Sequence, residues 1–85
     1  MRYVFSYYNP RSGRTYETEP MSVEEAVNYF SYTLLTGASY EHEKGNKKIN
    51  QNPKNIKSLV DNLNKASKNA SKGGSYKVYS AHEVF

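Results

Sequence analysis

Apolar and polar positions change their period several times along the chain, and each change marks an element. In residues 2–8, Tyr3, Phe5 and Tyr7 alternate with Val4, Ser6 and Tyr8. Period two with β-branched and aromatic side chains predicts a strand whose two faces each carry three of these residues. Neither face is cleanly polar, so one of them is expected to be a binding face or to lie under another element. Asn9-Pro10-Arg11-Ser12-Gly13 supplies Asn-Pro and Ser-Gly turn signals, and Arg14 to Thr18 reads as the return strand of a hairpin.

The period then becomes helical. Val23, Ala26, Val27, Phe30 and Leu34 form one stripe, while Tyr29 and Tyr32 lie off it. Ser22 and Glu25 make a capping box at the start, Glu24 and Glu25 suit the positive end of the helix dipole, and Gly37 is a natural stop. Residues 38–52 are polar, with a Gly45-Asn46 turn signal between Tyr40–Glu43 and Lys47–Ile49, so they read as an exposed loop or a short hairpin at 38–51. Asn52 then caps a second helix with Pro53 at its first position. Its buried stripe is Ile56, Leu59, Val60, Leu63, Ala66 and Ala70, and Gly73-Gly74 ends it. Residues 75–80 read as a last strand, followed by a tail over 81–85.

The order β-β-α-α-β predicts an α+β fold, a small antiparallel sheet with two amphipathic helices packed on one face. Residues 1–85 are expected to make a single domain with a small core, since only 36% of the residues are hydrophobic. The other sheet face would then be open and would show tyrosines.

Charge adds polarity to this picture. Residues 1–43 hold three arginines and six glutamates, a net −3, whereas residues 44–85 carry +7, giving the +4 of the whole chain. Between Lys44 and Lys72 lie eight lysines and seven asparagines against one acid, Asp61. Such separation speaks about partners rather than fold. Low-GC coding explains the asparagines as readily as any function does. Cysteine is absent, which excludes disulfides, thiolate metal sites and thiol nucleophiles. No segment approaches the ~20 apolar residues of a membrane span, and Met1-Arg2-Tyr3-Val4 lacks the apolar run of a secretion signal. A cytoplasmic protein is the expectation.

Three groupings carry candidate chemistry. Tyr7, Tyr8, Arg11, Arg14 and Tyr16 at the hairpin, with Tyr76, Lys77 and Tyr79 on the last strand, combine stacking rings with cations. That pairing suits single-stranded nucleic acid, and tyrosine and arginine are equally enriched at protein interfaces. Lys54, Lys57, Lys65 and Lys68 on the second helix suit a phosphate backbone or simply a solvated face. Glu41-His42-Glu43 and His82-Glu83 are the histidine–carboxylate clusters, and neither has the spacing of a metal motif.

As an enzyme the chain offers no phosphate loop, nucleophile elbow or metal signature, and a metal-free ribonuclease using tyrosine, arginine, lysine and one histidine is the catalytic class left open. The strand feeding a capped helix, Arg14–Thr18 into Ser22–Ala26, occurs in many unrelated domains and marks no family. The type of chain, short and free of cysteine, is common among phage accessory proteins, which often plug a functional surface of a host protein. The leading expectation is therefore a non-enzymatic binding protein docking on a larger protein or nucleoprotein partner, in concrete form a phage-type accessory protein inhibiting a host nucleic-acid-processing or defence system. The alternative is direct binding of single-stranded RNA or DNA through sheet tyrosines and lysines. The candidate partner-binding residues are Tyr7, Tyr8, Arg11, Arg14, Tyr29, Tyr32, Lys47, Lys48, Lys54 and Lys57. No cofactor and no metal are expected, and membrane partners are not.

Overall fold

The computed structural model of the chain describes residues 1–84. Its elements are β1 (Tyr3–Asn9), β2 (Arg14–Glu17), α1 (Val23–Tyr29), α2 (Ser31–Ser39), α3 (Ile56–Ser71) and β3 (Val78–Glu83). The strands form an antiparallel sheet in the order β2-β1-β3. The fold is α+β, as the alternation of periods predicts, with the last strand returning to pair with the first. Tyr7 sits opposite Tyr16 on one side and Tyr79 on the other.

Local chemistry accounts for the hairpin and for α1. Asn9 Oδ1 accepts the Arg11 N–H at 3.0 Å, and the Gly13 N–H donates to the Asn9 carbonyl at 2.8 Å. Gly13 takes φ +70°, where a side chain would be strained. At α1 the capping box is complete: the Glu25 N–H donates to Ser22 Oγ at 3.1 Å and the Ser22 N–H to Glu25 Oε1 at 2.9 Å. Those bonds hold the Glu25 carboxyl below its ordinary range, with the Ser22 backbone bond the largest cause.

The helix expected to run on to Gly37 is instead two. Phe30 leaves helical geometry at φ −98°, ψ 15°, and α2 starts after it. The reason lies in the sheet. The buried Phe30 ring meets Phe5, Tyr7 and Tyr79 edge-on at centroid distances of 5.5, 6.5 and 5.6 Å. Edge-to-face packing of this kind adds about 0.5–1.5 kcal/mol per pair beyond area burial.

Gly37 is no stop either. It lies inside α2, where an added Cβ would come within 2.3 Å of the Ala66 Cα and Cβ. The glycine is there so that α2 and α3 can touch backbone to backbone.

Three other boundaries move. Asn55, not Asn52, caps α3, its Oδ1 accepting the Ser58 N–H at 2.8 Å, while Pro53 is buried in the preceding loop. Both asparagines meet the local rule for a cap. Burial of Ile49 and Pro53 draws the chain inward before the helix begins, so the cap falls later. The last strand occupies Val78–Glu83 rather than residues 75–80, because it pairs with β1 along its length from Tyr8↔Val78 to Tyr3↔Glu83. Residues 38–52 form no strand beyond the end of α2 and hence no hairpin. They are a loop tied to α3, with Ile49 buried.

Asparagines make those ties. Asn69 accepts the Lys47 N–H at 3.0 Å and donates to the Lys47 carbonyl at 2.7 Å and the Gly37 carbonyl at 3.1 Å. Asn62 accepts the Asn50 N–H at 2.8 Å and donates to the Ser58 carbonyl at 2.8 Å. Asn64 accepts the Tyr79 N–H at 2.6 Å and returns a bond to the Tyr79 carbonyl at 2.9 Å. The Asn69 and Asn64 amides, each paired to both the N–H and the carbonyl of one residue, stand in for a neighbouring strand.

The core lies between the helices and the sheet face bearing Phe5 and Tyr79. Phe5, Leu34, Leu59 and Leu63 are fully buried, each worth about 1.5–3 kcal/mol relative to exposure.

Candidate functional site

Strand alternation and packing sort the tyrosines. Tyr7 stacks on Tyr16 at 5.4 Å and tilts against Tyr79 at 5.3 Å, on the face covered by the helices. Lys77 Nζ sits 5.4 Å from the centre of the Tyr7 ring. Burial, then the neighbouring Tyr29 and Tyr16 phenols, pushes the Tyr7 phenol above its ordinary value, so it stays a neutral hydroxyl in physiological conditions. Burial raises the Tyr79 phenol too, against a Thr33 hydrogen bond that lowers it.

The opposite sheet face carries Val4, Ser6, Tyr8, Thr15, Glu17, Val78, Ser80 and His82 by alternation. Tyr8 is the one tyrosine there, so the open face does not show the tyrosines that the sequence pattern predicts. The rings belong to the covered face, because period two assigns Tyr3, Tyr7 and Tyr79 to the side of Phe5.

The exposed apolar side chains gather elsewhere. Tyr29, Tyr32 and Leu35 are 61%, 80% and 57% exposed and recur every third residue on the outer side of α1 and α2. Tyr29 meets the Phe30 ring edge-on at 4.9 Å, which joins the ridge to the aromatic cluster beneath it. Tyr32 also lines a cleft of about 420 Å³ at the hairpin end. Arg11 enters this cleft from the turn, Thr33 and Thr36 from α2, Ser67 and Ser71 from α3, and Tyr76 and Lys77 from the segment before β3. A second cleft of about 250 Å³ shares Tyr76 and is lined by Lys47, Lys65, Lys68, Asn64 and Asp61.

The ten sequence candidates therefore do not form one site. Tyr7, Tyr29, Tyr32 and Arg11 come together through the aromatic cluster and first cleft. Lys47 joins the second cleft, and Lys57 a third one near the start of α3. Arg14 opens the edge strand opposite Asn9, Lys48 and Lys54 are exposed on the loop, and Tyr8 faces away. Leu35 was not among them, although its spacing from Tyr29 and Tyr32 off the buried stripe is a readable signal. Tyr76 and Lys77 gain their place only from the fold.

His42 lies in the loop after α2 and His82 on β3 opposite Val4, and neither lines these clefts. Among the described residues, no group of three or more His, Asp or Glu side chains is placed to hold a metal ion. No helix among them is long and apolar enough to cross a membrane. Comparison of the chain with protein-family models, curated proteins and solved structures finds no match.

Proposed function

We propose that this chain is a non-enzymatic binding protein that docks on a larger protein or nucleoprotein partner through the outer side of α1 and α2. The observation that carries the reading is the ridge of Tyr29, Tyr32 and Leu35, exposed yet continuous with the aromatic cluster below. Tyrosine presents a large apolar area with few rotors to freeze, and a row of such residues beside an arginine has the composition of interface hot spots. Arg11, at the cleft that Tyr32 lines, supplies that arginine. In concrete form the partner is a component of a host nucleic-acid-processing or defence system that a phage-type accessory protein would block. Binding through tyrosines of the open sheet face has less support, since Tyr8 stands alone there.

The test is a tagged capture from the native cellular source, with and without nuclease, followed by affinity measurement with the captured partner. Replacing Tyr29 and Tyr32 by alanine should weaken a nuclease-resistant complex by about 100-fold, the loss of one or two hot spots, with circular dichroism unchanged. Equal affinity of the double variant would remove the ridge from the interface.

A further inference from the structure

The two clefts that meet at Tyr76 suggest a different ligand from that of the ridge. The first holds Arg11 and Lys77 and has no acidic residue in its lining. The second holds Lys47, Lys65 and Lys68 with Asp61 as its one acid, and Asp61 is engaged by Lys65 at 2.8 Å. Neither Arg11, Lys77, Lys47 nor Lys68 has an ion-pair partner among the described residues.

Tyr76 is partly exposed and belongs to both linings, so a flat ring stands between two unneutralised basic hollows. Thr36, Ser67 and Ser75 add hydroxyls to the first cleft and Val78 an apolar contact to the second. The carbonyl end of α3, which would repel an anion, is partly satisfied there: the Ser71 hydroxyl donates to the Lys68 carbonyl and the Gly74 N–H to that of Ser71.

Alternating cations around a stacking ring match a polymer of alternating phosphates and bases. Five cations against one acid, itself paired with Lys65, favour a polyanion over a protein partner in these hollows. We propose that these clefts bind a single strand of nucleic acid. Its backbone passes from Arg11 and Lys77 to Lys47 and Lys68, and one base stacks on Tyr76. Duplex is excluded from this mode because its bases are not free to leave the stack. This inference does not rest on the docking ridge.

Fluorescence anisotropy with labelled mixed-sequence single strands, across a salt series, tests it. Four cations predict a log–log salt slope of about −3 for single strands. Tyr76→Ala should weaken binding by about 5- to 150-fold at unchanged slope, as loss of one stacked base does, with Tyr76→Phe restoring it. The pair Lys47→Gln and Lys68→Gln should flatten the slope by roughly 1.4, whereas Lys54→Gln with Lys57→Gln, away from both clefts, should leave it unchanged. Tyr29→Ala with Leu35→Ala should also leave strand binding intact, which separates this site from the part of the ridge that lies outside the clefts, since Tyr32 and Arg11 line the first cleft as well. Absence of binding at low salt, equal binding of duplex, or equal losses from Lys54/Lys57 and Lys47/Lys68 would overturn the proposal, provided circular dichroism shows each variant folded.

Discussion

Asparagine and lysine dominate the same stretch of chain, yet in α3 they lie in different worlds. Asn62 and Asn69 are buried, and with Asn64 they bond to backbone groups of the loop, α2, α3 itself and β3. Lys57 in α3 and Lys54 just before it are exposed and make no ion pair among the described residues. Lys65, by contrast, pairs with Asp61 one turn back, an exposed contact worth about 0.3–0.5 kcal/mol. One polar type is part of the scaffold and the other is free for solvent or a ligand. An amide can satisfy a buried N–H and a carbonyl at once, without carrying charge into the core. An ammonium can donate to a carbonyl but accepts nothing from an N–H, and it brings its charge with it.

The contrast can be broken most severely at the contact that brings Asn69 to its partner. Gly37→Ala would force α2 away from Ala66 and stretch the Asn69 bond to the Gly37 carbonyl, so we expect a loss of about 3 kcal/mol or more in urea unfolding. Next comes Asn69→Ala, which orphans the Lys47 N–H and two carbonyls; about 2–3 kcal/mol should be lost. Hydrogen exchange should then show faster exchange at Lys47 than at β1. If the loop amides remain protected, the asparagine is not what holds them.

Asn64→Ala should cost about 1–2 kcal/mol and uncover the Tyr79 N–H and carbonyl on the outer edge of β3. An uncovered edge invites strand pairing, so sedimentation should also reveal concentration-dependent association that the parent lacks. At the small end, Lys54→Gln with Lys57→Gln should change stability by less than about 0.5 kcal/mol, the usual range for exposed sites. A larger loss would mean that the lysines, too, belong to the scaffold.

Legibility followed the range of the interactions. The capping box of Ser22 and Glu25, the Asn9–Gly13 turn and the stripe Ile56–Leu59–Leu63 are local patterns, and each appears where its residues predict. The docking candidates were legible in part: Tyr29 and Tyr32 stand off the buried stripe in sequence and are exposed in the fold. Arg11 and Lys47 carry no signal for their clefts, since Tyr76 and Lys77 reach those places from the far end of the chain.

By itself the sequence determined the α+β class, the order of strands and helices and the apolar faces, because periodicity, caps and turns depend on neighbours a few residues apart. Only the tertiary structure decided that Phe30 breaks a helix to meet Phe5, that Gly37 lets α2 touch Ala66, that three asparagines bond to backbone groups and that the sheet face of Tyr7 and Tyr79 is the one the helices cover. Those outcomes depend on which surfaces meet across the core, and contacts between residues distant in the chain leave no period in it.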